Sequence, residues 1–223
     1  MGEAIGAVLP LAVGVALSPI PIIAVILMLV SRRARVNGPV FLLGWIVGLS
    51  IIGVITLCIA GPSGASDAGE PASGTSTLKV VLGVLLLFVA LRHWRKRPHA
   101  GDVAPMPKWM GAVDSFTPVK AFGAAVVLSA VNPKNLILAV GAAMAISQTD
   151  VAGVQQAIAY AVFVLIATVG PAIPVVIYFA MGDKAPALLE RLKAWMGTHN
   201  GAIMTVLCLV IGFKLIGDGI GGL

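Results

Sequence analysis

Charge is scarce in this chain: 11% of its 223 residues are charged, against 59% hydrophobic, and the mean hydropathy is +1.03. So little charge excludes a water-soluble domain and places the chain among polytopic membrane proteins. Only 2 cysteines occur, Cys58 and Cys208. Both lie in apolar stretches, where a thiol behaves as a small hydrophobe, so no disulfide framework is expected. The 3 histidines, His93, His99 and His199, lie in or near loops without metal-ligand spacing. No Gly-rich loop precedes a Lys-Ser/Thr pair, which excludes a nucleotide-binding motif and ATP-driven transport by this chain alone. Neither an enzyme activity nor a metal or other cofactor is expected. A net charge of +6 would suggest nucleic acid in a soluble protein. In a membrane protein it reflects topology, and no nucleic acid is expected. Residues 1–3 lack the basic start of a secretory signal, and the apolar run that follows is too long for one, so the first segment is expected to be a retained span.

Crossing a bilayer takes roughly 17 to 25 apolar residues. Six stretches qualify or nearly so, at 4–31, 40–60, 78–91, 121–147, 151–181 and 201–220. The third is short unless its flanks are helical. Basic residues follow alternate stretches: Arg32, Arg33 and Arg35 after the first, Arg92, Arg95, Lys96, Arg97, Lys108 and Lys120 after the third, Lys184, Arg191 and Lys193 after the fifth. These are twelve of the 15. The intervening loops at 61–77 and 148–150 carry none, so the positive-inside rule puts the basic loops in the cytoplasm and both termini outside. Trp94, Trp109 and Trp195 lie in or beside the basic loops, the headgroup level that indoles prefer. Residues 61–77, rich in Gly, Ser, Ala and Pro, are expected to form a flexible outer loop.

A weak internal repeat divides the chain. Leu17-Ser18-Pro19-Ile20-Pro21 resembles the stretch Leu128-Ser129-Ala130-Val131-Asn132-Pro133. Val81 to Phe88 resembles Val206 to Phe213 in the same way. Chance similarity between Val/Leu/Gly-rich helices would explain the second match alone, but the Pro-containing motifs occupy equivalent places. The expected fold is therefore all-α, six transmembrane helices as two inverted three-helix repeats over 4–94 and 121–220, joined by a basic cytoplasmic linker over 95–120. Three spans per unit force the two units to enter the membrane from opposite sides, the signature of inverted-repeat transporters.

The first stretch covers about 28 residues, roughly 42 Å of helix, and must tilt, kink or re-enter. Pro19 and Pro21 supply the place. Ser18-Pro19 and Asn132-Pro133 each read as an N-cap followed by Pro at the first helical position, so the first and fourth spans are expected to be two half-helices each. The second half-helix would begin near the midplane with free N–H groups and a positive dipole end, suited to an anionic group. Pro kinks also serve packing alone, and for Pro19 and Pro21 the two readings weigh equally.

Lys134 sharpens the argument, because it stands in Asn132-Pro133-Lys134-Asn135 at the middle of an apolar run. A charge at that depth costs about 3 kcal/mol on insertion scales and demands a partner, a cavity or a ligand. A lysine in the first helical turn also opposes the dipole of its own helix, which points to an acidic ligand or partner. The expected substrate-binding set is Lys134, Asn132, Asn135, Pro133, Ser18, Pro19, Pro21 and Ser129. Lys214 and Asp218, four residues apart on the last span, are expected to form a structural ion pair. Gly44, Gly48, Gly53, Gly170-Pro171 and Pro174 are assigned to close packing or bending of helices.

Leu9-Pro10-Leu11-Ala12, Ala16-Leu17-Ser18-Pro19-Ile20-Pro21-Ile22-Ile23-Ala24 and Leu128-Ser129-Ala130-Val131-Asn132-Pro133-Lys134-Asn135 resemble the actinobacterial Gap family, which includes the sulfolipid-addressing proteins, within the lysine-exporter superfamily. The resemblance implies an inner-membrane protein that helps a cell-envelope glycolipid across, beside a large lipid exporter. Glycopeptidolipids and sulfated trehalose lipids are the family's examples. It carries over no binding residues, so the site above rests on the physical reading. Thiol-redox members of the superfamily place a cysteine in each Pro break, where this chain has the surroundings of Ser18 and Asn132, which argues against electron transfer. Two alternatives share the topology: a small-solute exporter of amino acids or ions, and a noncatalytic accessory subunit of a lipid exporter. The expected partners are thus a membrane lipid, a large exporter protein and further copies of the chain.

Overall fold

The computed structural model describes residues 1–63, 73–95, 115–149 and 151–221. Among them there are eight α-helices and no strand: α1 (Gly2–Ala16), α2 (Pro19–Leu29), α3 (Ala34–Ser63), α4 (Ser73–Arg95), α5 (Pro118–Ala130), α6 (Pro133–Ser147), α7 (Gly153–Met181) and α8 (Ala185–Ile220). The stretches Ala34–Ile59, Ser76–Arg95 and Gly153–Ile220 are long and apolar enough to cross a membrane, and there are up to five spans if each bent pair counts as one. The loop expected at 61–77 and the linker at 95–120, with Trp109, His99 and three of its lysines and arginines, lie largely outside the described residues.

Both expected breaks occur. α1 meets α2 at 52° and α5 meets α6 at 65°. Pro19 and Pro133 stand at the first position of the second half-helix in each pair, after Ser18 and Asn132 in extended conformation. The Asn132 side chain accepts from the Lys134 backbone N–H at 3.2 Å, as an N-cap should. Ser18 does not cap its helix.

Two expected boundaries differ. The third stretch gains helix on both flanks and reaches 23 residues in α4, so the shortness of its apolar run is no obstacle. α8 begins at Ala185, sixteen residues before the expected last span, and therefore takes in Arg191 and Lys193, which were assigned to a loop. Pro at its start, good helix formers and the Lys193–Glu190 pair at 2.8 Å carry the helix through that polar segment. Its inner face, Ala185, Leu189 and Met196, is buried. The chain turns between α7 and α8 at Gly182, whose φ of 52° suits glycine alone.

Helix packing places the breaks at the centre. α4 runs along α8, α3 along α5 and α1 along α7, with α6 touching α1 and α3 and α2 touching α7 and α8. The α4 and α8 contact is antiparallel, since a Cβ on Gly219 would meet the Ser76 carbonyl, one on Gly83 would meet the Gly212 carbonyl, and Thr205 Oγ1 reaches toward the Ala90 carbonyl. The glycines assigned to packing do pack: Gly44 and Gly48 lie against α5, Gly53 against the Tyr160 ring, and Gly170 against the Ala16 carbonyl. A side chain at any of these would overlap its neighbour. Trp45 and Phe41 are fully buried and stacked, whereas Trp94 and Trp195 are exposed near the two helix ends that carry arginines.

Candidate functional site

The two breaks create the site by freeing carbonyls. Pro19 has no N–H to give Val15, so Ser18 N–H turns to the Val15 carbonyl at 3.2 Å and abandons that of Gly14. The ammonium of Lys134 donates to the orphaned Gly14 carbonyl at 2.6 Å. Five residues before Pro133, the carbonyl of Leu128 is left in the same way, and the Asn135 side-chain amide donates to it at 3.1 Å. The carbonyls five residues before Pro19 and before Pro133 are thus satisfied by adjacent residues of α6. Ser18 Oγ closes the network by donating to the Asn135 side-chain oxygen at 3.0 Å.

The partner that Lys134 needs is therefore supplied by the protein itself. Its ammonium opposes the positive end of α6 but sits on the negative, carbonyl end of α1, where a cation is favoured. Lys134 is 2% exposed, Asn135 and Ser129 are 0% and Ser18 is 2%. Burial of a charge at this depth is tolerable only with such a partner.

A cavity of about 510 Å³, half open, leads to this network. Its volume is that of a pocket for a small molecule or one end of a larger one. Ile20, Val89, Val127, Leu128, Val131, Pro133 and Met204 make apolar walls, and Arg92, His93, Asn132 and Lys134 provide polar lining. Exposure falls from Arg92, which is exposed, through half-buried His93 to buried Lys134, so the basic groups run from mouth to floor. Such a lining offers cationic donors to an anion and a greasy wall to whatever is attached to it.

Of the expected site residues, Lys134, Asn132 and Pro133 line the cavity, and Ser18 and Asn135 lie behind them in the hydrogen-bond network. Pro19 and Pro21 are buried in α2 and shape the break. Ser129 is not brought to the cavity: it faces α3 at Gly48, and its hydroxyl donates to the Val126 carbonyl at 3.1 Å. Lys214 and Asp218 pair as expected, far along α8 from Met204. Arg92, His93, Val89 and Met204 were not foreseen as site residues. Arg92 was read only as a topology signal, although its spacing of three from Val89 puts both on one face of α4. Among the described residues no group of three or more His, Cys, Asp or Glu could hold a metal ion.

Residues 8–221 match a family model described as SfLAP: Sap, sulfolipid-1-addressing protein. The chain belongs to the sulfolipid-1-addressing protein family. No curated protein and no solved structure matches it. The family match runs from within α1 to the end of α8, so both helix breaks, the carbonyl network and every cavity-lining residue fall inside it.

Proposed function

We propose that this protein assists export of an anionic or polar cell-envelope lipid across the inner membrane, receiving the headgroup in the cavity between α2, α4, α5, α6 and α8. Membership of a family described by sulfolipid-1 addressing supports a lipid as cargo. The observation that carries the reading is the cavity's lining: Arg92, His93 and Lys134 toward an anion, with Val89, Val127, Val131 and Met204 toward an acyl chain. A small, fully polar solute would have no use for that wall, so the small-solute exporter is the weaker reading.

The mechanism proposed is alternating access of two inverted three-helix repeats, the arrangement of the lysine-exporter superfamily. Six spans follow if each bent pair is one and the 68 residues Gly153–Ile220 divide at Gly182 into α7 and α8. The packing supports the two-fold relation: α1 lies on α7 as α5 lies on α3, and α2 touches α8 as α6 touches α4. Arg92, Arg95 and Lys120 belong to one end of the bundle, which the positive-inside rule assigns to the cytoplasm with both termini outside. The cavity then faces inward, where a newly made lipid would enter.

Mass spectrometry of the purified protein tests the cargo. A co-purifying anionic lipid, lost on Arg92→Glu, is expected; only neutral lipids, retained by that variant, would contradict the proposal. One observation favours a second reading, the accessory subunit: Lys134 already has the Gly14 carbonyl as partner, which a purely architectural lysine would also have.

A further inference from the structure

A second cluster of charged and polar side chains lies at the bundle end away from the cavity. Lys79, on α4, is 9% exposed and donates to the Gln148 side-chain oxygen just beyond the end of α6. Lys214 and Asp218, which pair with each other, lie on the stretch of α8 packed against this part of α4, where a Cβ on Gly219 would meet the Ser76 carbonyl and the Val80 nitrogen. The three elements that meet there also line the cavity, at Arg92 and His93 on α4, at Pro133 and Lys134 on α6, and at Met204 on α8.

The internal two-fold gives the cluster a meaning. Matching Pro19 with Pro133 and Val81 with Val206 pairs Met204 with Lys79, Val89 with Lys214, His93 with Asp218 and Leu128 with Gly14. Three of the four residues, Lys79, Lys214 and Asp218, therefore occupy, in the exchanged repeats, positions that line the open cavity, yet here Lys214 and Asp218 pair with each other and Lys79 is held by Gln148.

We propose that Lys79, Gln148, Lys214 and Asp218 form the closed gate of a second, opposite-facing cavity around Gly14 and Ser18. α6 is the link, because its 15 residues carry Lys134 at one end and Gln148 next to the other. A rigid tilt of α6 that releases Gln148 from Lys79 moves Lys134 away from the Gly14 carbonyl and narrows the present cavity. The inference rests on the alternating-access reading, and it adds the residues that hold one of its two states.

The test uses the full chain with both native cysteines replaced by Ala, in membrane vesicles of both orientations, with an impermeant thiol reagent. Ser18→Cys reports the proposed cavity and Val131→Cys the one already open. Gln148→Ala, on an exposed residue, and Lys79→Met remove the gate from either side. Loss of one hydrogen bond to a charged group is expected to raise Ser18→Cys modification about tenfold from one membrane face. Val131→Cys modification from the other face should fall in the same variants. Ser18→Cys unmoved in both variants, or both reporters rising together as in simple loosening, would overturn the gate. Failure of the lipid reading is scored separately: with the gate intact, a sulfated lipid should protect Val131→Cys. Loss of protection alongside reciprocal labelling would strike the cargo and leave the gate standing.

Discussion

Lys134 acts at the residue scale through two contacts at once, the Gly14 carbonyl behind it and the cavity in front. Lys134→Met keeps the volume but strands a buried carbonyl, at a cost of about 1 to 3 kcal/mol. A fall in the detergent-solubilised Tm of several degrees, at about 2 to 4 °C per kcal/mol for a chain of this size, would register it. Lys134→Glu should be worse, because a carboxylate faces both the carbonyl end of α1 and an anionic cargo. Lys134→Arg should retain part of the export, since its charge and donors survive in a different geometry. Normal export by a well-expressed Lys134→Glu variant would remove Lys134 from the site. The cysteines make the opposite case: Cys58 is exposed and Cys208 buried, both free. Replacing both with Ala should leave export intact, and its loss in a stably folded variant would bring back thiol chemistry.

Among the elements, the broken helices matter most, and they were legible in the sequence because proline acts locally. A missing N–H and a fixed φ disrupt a helix wherever they occur, so Ser18-Pro19 and Asn132-Pro133 announced both breaks. What filled the freed carbonyls was not legible. Gly14 and Lys134 are 120 positions apart, and only the packing of α6 on α1 brings them together. The start of α8 was missed for a related reason: an apolar-length criterion sees the membrane portion and not the polar turns that continue it. Close packing gives a direct test of these contacts. Gly170→Ala places a methyl group onto the backbone carbonyl of Ala16, which cannot turn aside, and should destabilise by about 1 to 3 kcal/mol. Gly6→Ala, inside α1, meets nothing within 4 Å and should stabilise by about 0.5 to 1 kcal/mol through helix propensity. Equal thermal shifts in the two variants would contradict the packing described.

For the whole molecule, the proposed export depends on which bundle end faces the cytoplasm and what enters there. Single cysteines at Ser66 and Ala104, in a background lacking Cys58 and Cys208, test orientation. An impermeant reagent on intact cells should label only Ser66→Cys, and labelling of Ala104→Cys would reverse the topology. The class could be read from composition because a bilayer imposes a length rule on any chain that spans it. The cavity could not, because Arg92 and His93 join Lys134 only when α4 lies beside α6 and α8. The central claim, that this cavity takes an anionic lipid, is tested most directly by a photoreactive lipid with a sulfated headgroup and a diazirine on its acyl chain. Crosslinks should map to Val89, Val131 and Met204 and be competed by the unlabelled sulfated lipid, not by a neutral glycolipid. Crosslinks spread over exposed outer faces such as Val54, Val176 and Val210, without competition, would contradict the account.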